Sequence, residues 1–179
     1  MNVTRLCTTG RDAPYGQAAV LGAPRQVLAG RADGVHWTVH VGLDQTGKLS
    51  TVVTRTCGSA SATSRVPGSG PPDGQLVSMW LGREPGLPPL LLLKTAPGVT
   101  QVTAVLASHD RRLVTLSPVI EDFSLRFGAA PLPGEDPLAA VEIARWPGGT
   151  QIIEIWRPPA RRLARPGHAG PPESFERSW

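Results

Sequence analysis

The stretch "VHWTVHVGLDQTGKLSTVVTRT" spans residues 35–56 and decides the fold. Two runs rich in β-branched residues, 35–43 and 48–56, flank the tetrapeptide "DQTG". Alternating β-branched runs on either side of a short polar break containing glycine are typical of a β-hairpin. Gly47 can supply the positive φ that such a turn needs. The sequence therefore predicts two antiparallel strands joined by a tight turn.

The same segment also carries an incomplete phosphate-binding pattern. Gly42, Gly47 and Lys48 fall at the spacing of a P-loop, but Leu49 replaces the hydroxyl residue that would hold magnesium. A P-loop also needs a helix after its glycines, so that backbone N–H groups meet the phosphates. The strand-like "LSTVVTRT" that follows argues against such a helix. A small-ligand enzyme or nucleotide binder that uses the 42–48 loop is therefore an alternative hypothesis.

Strand-like segments continue on both sides of this hairpin. Aliphatic and β-branched runs, separated by Pro and Gly turn signals, predict further strands at 26–32, 75–83, 89–96, 99–108, 113–119, 121–128, 138–146 and 150–156. In "EDFSLRFG", Phe123, Leu125 and Phe127 alternate with polar residues, which is typical of an antiparallel sheet with one buried face. About ten short strands without a sustained helical period predict an all-β fold, either an antiparallel β-sandwich or a flattened barrel.

Composition divides the chain into three parts. Residues 25–157 contain the predicted strands and form the expected β-sandwich domain. Residues 1–24 are turn-rich and aperiodic, and we expect a loose N-terminal segment there. Residues 158–179 are rich in Pro and Arg, which predicts a disordered tail. Within the domain, "SASATSRVPGSGPPDG" at 59–74 predicts a long loop, either flexible or functional.

The net charge of +4 is not evenly distributed. Residues 1–156 hold 13 basic and 12 acidic residues, whereas residues 157–179 hold 5 and 2. A nearly neutral body lacks the basic face that specific nucleic-acid binding requires. The tail offers a small basic patch that could contact an acidic partner, formed by Arg157, Arg161, Arg162 and Arg165. A cytoplasmic adaptor acting through this Arg/Pro-rich tail is a second alternative hypothesis.

No segment carries a membrane or targeting signal. The strongest apolar run, "LLLL" at 90–93, is far shorter than the ~20 residues of a transmembrane helix. "AAVLGA" at 18–23 is too short for the apolar core of a signal peptide. We therefore expect no transmembrane segment, signal peptide or anchor in this chain.

Two cysteines leave two redox states open. Cys7 and Cys57 lack the Cys-x-x-Cys spacing of a zinc site. In an oxidising compartment they could form one disulfide, which would stabilise the fold by roughly 4 kcal/mol in the loop-entropy model. In a reducing compartment they would remain two thiols.

No other pattern predicts a catalytic, cofactor or metal site. His36 and His40 share one side of a strand but lie about 13 Å apart, too far to bind one metal ion. Sequence neighbours in a strand point to opposite faces, so Glu121-Asp122 cannot act as a carboxylate pair. Glu135-Asp136 is interpreted in the same way, as solvated residues. Tryptophans in predicted strands are best explained by packing: Trp37, Trp80, Trp146 and Trp156.

Three stretches resemble a group of uncharacterised β-rich proteins from high-GC Gram-positive bacteria. They are "VLAGRADGVHWTVHV" (27–41), "VTQVTAVLASHDRRLVTLSPV" (99–119), and "RFGAAPLP" leading into "AAVEIARWPGGTQI" (126–152). Proteins of that group usually follow a membrane anchor or a lipoprotein signal. The resemblance therefore implies a cell-envelope, extracytoplasmic location, and it brings no catalytic residue with it.

The leading functional hypothesis is a non-catalytic β-sandwich that acts as a binding or interaction module. The strand pattern, the neutral body and the missing site chemistry favour it. The resemblance implies a setting in the cell envelope, with a protein or another envelope component as the partner.

Overall fold

The computed structural model describes residues 20–155, with side chains from residue 24 onward. Twelve strands and one 3₁₀ turn follow one another along this part of the chain. They are β1 (Val20–Ala32), β2 (Val35–Asp44), β3 (Leu49–Cys57), β4 (Ala60–Val66), β5 (Val77–Gly82), β6 (Leu90–Thr95), β7 (Val99–Leu106), β8 (Arg111–Leu113), β9 (Thr115–Leu116), the 3₁₀ turn (Glu121–Phe123), β10 (Arg126–Pro131), β11 (Leu138–Arg145) and β12 (Thr150–Glu154). Among the described residues, no helix is long and apolar enough to cross a membrane.

The strands form three open sheets of four strands each. The first sheet has the order β1-β2-β3-β4, the central sheet β5-β6-β10-β9, and the third sheet β12-β11-β7-β8. Every pairing between strands is antiparallel. The predicted all-β antiparallel sandwich is confirmed. Within the described residues it contains twelve strands rather than ten, and no sheet closes into a barrel.

The central sheet is buried on both faces, and its β6 strand shows why. Leu90 and Leu92 belong to the core that the central sheet shares with the first sheet. Leu91 and Leu93 point the other way, into the core shared with the third sheet. A strand buried on both sides needs apolar residues at every position rather than at alternate ones. This placement explains the "LLLL" run, and it makes the molecule a three-layer sandwich.

The hairpin that the opening stretch predicts is present. β2 pairs with β3 from Val35↔Cys57 to Leu43↔Leu49 without a register shift. Gly47 has φ +74°, as the turn requires. The preceding hairpin turns at Asp33 and Gly34, which both have positive φ and so match the favoured Asp-Gly turn.

Two glycines make room for tryptophan rings in the core. A Cβ atom on Gly30 would overlap the ring of Trp37, and one on Gly82 would overlap the ring of Trp80. Trp37 is buried, and Trp80 packs against the same core as a half-buried residue. The packing role predicted for these two side chains is therefore confirmed.

The structure differs from the sequence-based expectation in several places. The predicted loop 59–74 contains β4, whose seven residues all pair with β3. Small Ser and Ala residues made this strand look like a loop, although alternate side chains do face the core. The strand β1 begins inside the predicted loose segment 1–24, because it pairs with β2 as far as Val20↔Asp44. Most of the predicted loose segment and the whole of 158–179 lie outside the described residues.

Another difference concerns the predicted strand 121–128. Its first half forms the 3₁₀ turn, and Ser124 adopts the left-handed conformation with φ 49°. Only the second half joins a strand, β10. The predicted burial of the alternating apolar residues is nevertheless found. Phe123, Leu125 and Phe127 all pack into the core between the first and central sheets.

Candidate functional site

A cleft opens at one end of the central sheet, between the β5–β6 loop (83–89) and the β10–β11 loop (132–137). Its larger part has a volume of about 360 Å³. A neighbouring part of about 200 Å³ shares the walls formed by Arg83, Pro89 and Gly134. The two loops are joined where the Leu132 N–H donates to the Pro89 carbonyl (2.8 Å).

A buried arginine from another layer holds the first of these loops. Arg55 lies on the core face of β3, and its side chain is fully buried. Its Nη1 atom donates to the Gly82 carbonyl (3.3 Å) and the Pro88 carbonyl (3.0 Å). One guanidinium group therefore binds both ends of the loop 83–89. We call this arrangement the arginine clamp.

The clamp is completed by a carboxylate inside the loop. Glu84 forms an ion pair with Arg55 and also accepts a hydrogen bond from the Ser64 hydroxyl of β4 (2.6 Å). Burial lowers the pKa of Arg55 to about 10, so the guanidinium remains charged at neutral pH. The Glu84 carboxylate therefore has its charge balanced by a buried cation and is held in place by two partners, Arg55 and Ser64.

Rigid residues form much of the cleft wall. Pro85, Pro89, Pro133 and Pro137 line it together with Leu87. Proline fixes its own φ angle, so a loop rich in proline loses little conformational entropy when it binds a ligand. Together with the arginine clamp, these prolines restrict the conformations of the loops that line the cleft.

Two charged side chains at the cleft lack partners in the described part of the chain. Arg83 and Glu135 are exposed, both line the smaller part of the cleft, and neither forms an ion pair or a side-chain hydrogen bond there. The neighbouring Asp136 is already engaged, because its carboxylate accepts hydrogen bonds from the N–H and hydroxyl of Ser108. A ligand in the cleft would therefore meet one free positive and one free negative group.

The arginine clamp was not predicted from the sequence, although one signal was available. In β3 the residues Thr51, Val53, Arg55 and Cys57 alternate on the core face, and all four are buried. The strand and its alternation were predicted, but the arginine at a core position was not interpreted. A buried charge needs a partner, and Glu84, 29 positions later, can be identified only from the folded chain.

A second buried cation fastens another loop. Lys94 of β6 is 2% exposed, and its Nζ atom donates to the carbonyls of Pro67 (3.2 Å) and Gly68. These carbonyls begin the β4–β5 connection, the part of the predicted loop 59–74 that contains no strand. Burial lowers the pKa of Lys94 to about 8.

Lys94 should make the stability of the protein rise with pH. The unfolded chain binds this proton up to a pKa of about 10.5, whereas the folded chain releases it near pH 8. Between these values the unfolded state holds more protons, so the free energy of unfolding increases as the pH rises. We expect a gain of about 2 kcal/mol between about pH 7 and about pH 10.

Urea denaturation followed by tryptophan fluorescence at a series of pH values measures this gain. Lys94→Met should remove most of the rise, while Lys48→Met, at an exposed turn position, should keep it. An equal rise in the parent chain and in Lys94→Met would show that other groups cause it.

The segment 42–48, considered above as an alternative phosphate-binding loop, contains the favoured hairpin turn, and its amides are already occupied. The Asp44 carboxylate accepts hydrogen bonds from the Thr46 hydroxyl (2.7 Å), the Thr46 N–H (2.8 Å) and the Lys48 N–H (3.1 Å). The Thr46 hydroxyl and these amides hold the pKa of Asp44 below its usual value. Amides that already bind a carboxylate cannot cradle a phosphate, so the geometry gives no support to nucleotide binding at 42–48.

The remaining sequence candidates do not gather into a site. His36 and His40 lie on the outer face of the first sheet. Glu121 and Asp122 lie in the 3₁₀ turn, where Asp122 pairs with Arg25 at 3.5 Å. Within the described part of the chain, no group of three His, Cys, Asp or Glu residues is arranged to bind a metal ion.

Several predicted residues fall outside the described part of the chain. Cys57 is buried at the end of β3, but Cys7 lies outside, so the disulfide between them stays a prediction. Trp146 is exposed rather than packed, and Trp156 lies outside. The predicted tail patch also lies outside: Arg157, Arg161, Arg162 and Arg165.

Comparison with known proteins gives no relative for this chain. No family model matches it, and neither a curated protein nor a solved structure matches it significantly.

Proposed function

We propose that this protein is a non-catalytic binding module and that the cleft between the loops 83–89 and 132–137 is its ligand site. The observation that carries the proposal is the arginine clamp, in which Arg55 ties both ends of the loop 83–89 to the first sheet. A fully buried charge is an expensive way to stabilise a fold. The clamp has a clear use if it holds the loop in a binding-competent shape.

The chemistry of the cleft favours a short peptide segment that carries both charges. Its proline and leucine walls suit apolar contact, while Arg83 and Glu135 can pair with a carboxylate and an ammonium group. Arginine matches a carboxylate through two parallel hydrogen bonds, which would fix the orientation of the ligand.

Binding is favoured over catalysis by the state of the polar groups at the cleft. Glu84 is neutralised by Arg55, and the Ser64 hydroxyl donates to that carboxylate instead of being activated by a base. Reproducible turnover by the purified chain in a broad hydrolase screen would contradict a purely binding role.

The resemblance to envelope proteins supports a location at the cell envelope as part of this proposal. The partner would then be a protein or peptide component exposed there. The adaptor hypothesis depends on the tail arginines outside the described residues. Deleting residues 157–179 and comparing partner pull-downs distinguishes it from binding at the cleft.

Replacing Arg83 should weaken ligand binding without affecting the fold. Peptides selected from a random displayed library on the full chain provide the probe, and fluorescence polarisation gives their affinity. Since a hydrogen bond to a charged group contributes about 1.5–3 kcal/mol, Arg83→Ala should raise the dissociation constant at least about tenfold. Arg31→Ala, an exposed arginine on the first sheet, is the matched control and should leave it unchanged. Failure to select any peptide, or equal losses in the two variants, would contradict a ligand site at this cleft.

A further inference from the structure

In the described part of the chain, exposed apolar side chains concentrate at the β11–β12 hairpin. Six large hydrophobic residues of the described chain are exposed, and three of them lie within residues 146–155. They are Trp146, Ile152 and Ile155, which are 78%, 60% and 45% exposed. They follow the length of the hairpin, with Trp146 at its turn, Ile152 within β12 and Ile155 directly after it.

The outer side of β12 offers unpaired backbone groups beside these residues. Among the described strands, β12 pairs only with β11, through five residue pairs without a register shift. It contains no proline, lysine or arginine, and it has no β-bulge. Natural edge strands usually carry one of these features to prevent pairing with another chain.

Other edges of the outer sheets do carry such features. β1 contains Pro24 and Arg25 and has two register shifts along β2. At the opposite edge of the third sheet, β8 has only three residues, and two of them are Arg111 and Arg112. The contrast indicates that the β12 edge is left open for pairing.

We propose that a second copy of this chain pairs with β12, so that the two β12 strands run antiparallel about a two-fold axis at Ile152. The two third sheets would then join into one continuous eight-stranded sheet. This surface is separate from the cleft and does not depend on the binding function proposed for it.

The residues of β12 are self-complementary in this register. Ile152 lies opposite its own counterpart, so two exposed apolar side chains cover each other. Gln151 lies opposite Ile153, and Thr150 opposite Glu154. The single charge of the strand therefore never meets a like charge, which would destabilise the pair. A register centred one residue later would instead place Glu154 opposite Ile152.

The neighbouring outer face of the sheet permits the approach of a second copy. Glu142, directly across from Ile152 on β11, forms a bidentate ion pair with Arg111. Its charge is thereby balanced within the chain, and two copies would bring no free carboxylates together. Since pairing of five-residue strands buries far less than the roughly 1,200 Å² of a stable interface, the dimer should be weak.

Sedimentation equilibrium of the full chain over a concentration series up to about 1 mM tests this proposal, because a weak interface is populated only at high concentration. The weight-average mass should rise from monomer towards dimer. Ile152→Lys places two like charges at the axis and should raise the dimer dissociation constant at least about tenfold. Leu113→Lys, an equally exposed apolar residue on β8 at the opposite edge, should leave it unchanged. Circular dichroism checks that both variants fold.

Photo-cross-linking locates the contact. A benzoylphenylalanine in place of Ile152 should give a covalent dimer on irradiation, and one in place of Leu113 should not. A parent chain that remains monomeric, equal effects of the two lysine variants, or cross-linking only from position 113 would overturn the proposal.

Discussion

Arg55→Met should lower the free energy of unfolding by about 3–5 kcal/mol, the usual cost of removing one partner of a buried ion pair. The substitution leaves the Glu84 carboxylate, which is only 19% exposed, without its cationic partner. It also removes the Nη1 donor shared by the Gly82 and Pro88 carbonyls. Chemical denaturation of the variant and the parent chain measures the difference.

Two further variants show whether the unpaired Glu84 carboxylate causes this loss of stability. Adding Glu84→Gln to Arg55→Met removes the carboxylate, so the double variant should be more stable than Arg55→Met alone. Arg25→Met breaks the exposed pair with Asp122, whose side chains are 57% and 70% exposed, and should cost less than about 1 kcal/mol. If Arg55→Met and Arg25→Met lowered the free energy of unfolding equally, burial of the Arg55–Glu84 pair would not explain the cost of breaking it.

Leu91→Ala and Leu92→Ala should each lower the free energy of unfolding by about 2–5 kcal/mol, as large-to-small changes in a close-packed core do. These neighbours in β6 point to opposite faces of the central sheet. Leu91 packs towards the third sheet and Leu92 towards the first. In a two-layer sandwich only one of two adjacent residues faces the core, so two large losses are the signature of three layers.

The control for these variants is an exposed leucine. Leu113 of β8 is 68% exposed, and Leu113→Ala should change the free energy of unfolding by no more than about 0.5 kcal/mol. Denaturant midpoints for the three variants give the comparison. A small effect at either Leu91 or Leu92 would contradict burial of the central sheet on both faces.

Features that depend on residues close together in the sequence were predictable, whereas features that depend on pairing or packing were not. Three turns were predictable because each depends on residues a few positions apart. They are the Asp33-Gly34 turn, the turn at Gly47 and the turn between β11 and β12. The strand β4 was missed because small Ser and Ala side chains carry a weak strand signal. It forms because a seven-residue backbone ladder to β3 outweighs that weak local preference.

The candidate site was beyond prediction for a related reason. Arg83, Glu84 and Glu135 look like ordinary loop charges in the sequence, and nothing near them marks a cleft. Only the meeting of the loops 83–89 and 132–137 creates it, and those loops are distant along the chain.

By itself, the sequence determined that this protein is an antiparallel all-β molecule, because turn chemistry and the period of two act over short distances. The tertiary structure alone decided that the strands form three layers, that "LLLL" is a strand buried on both faces, and that Arg55 meets Glu84. Which sheet covers which face depends on contacts between distant segments. Local alternation shows only that a face is buried, and it cannot show what buries it.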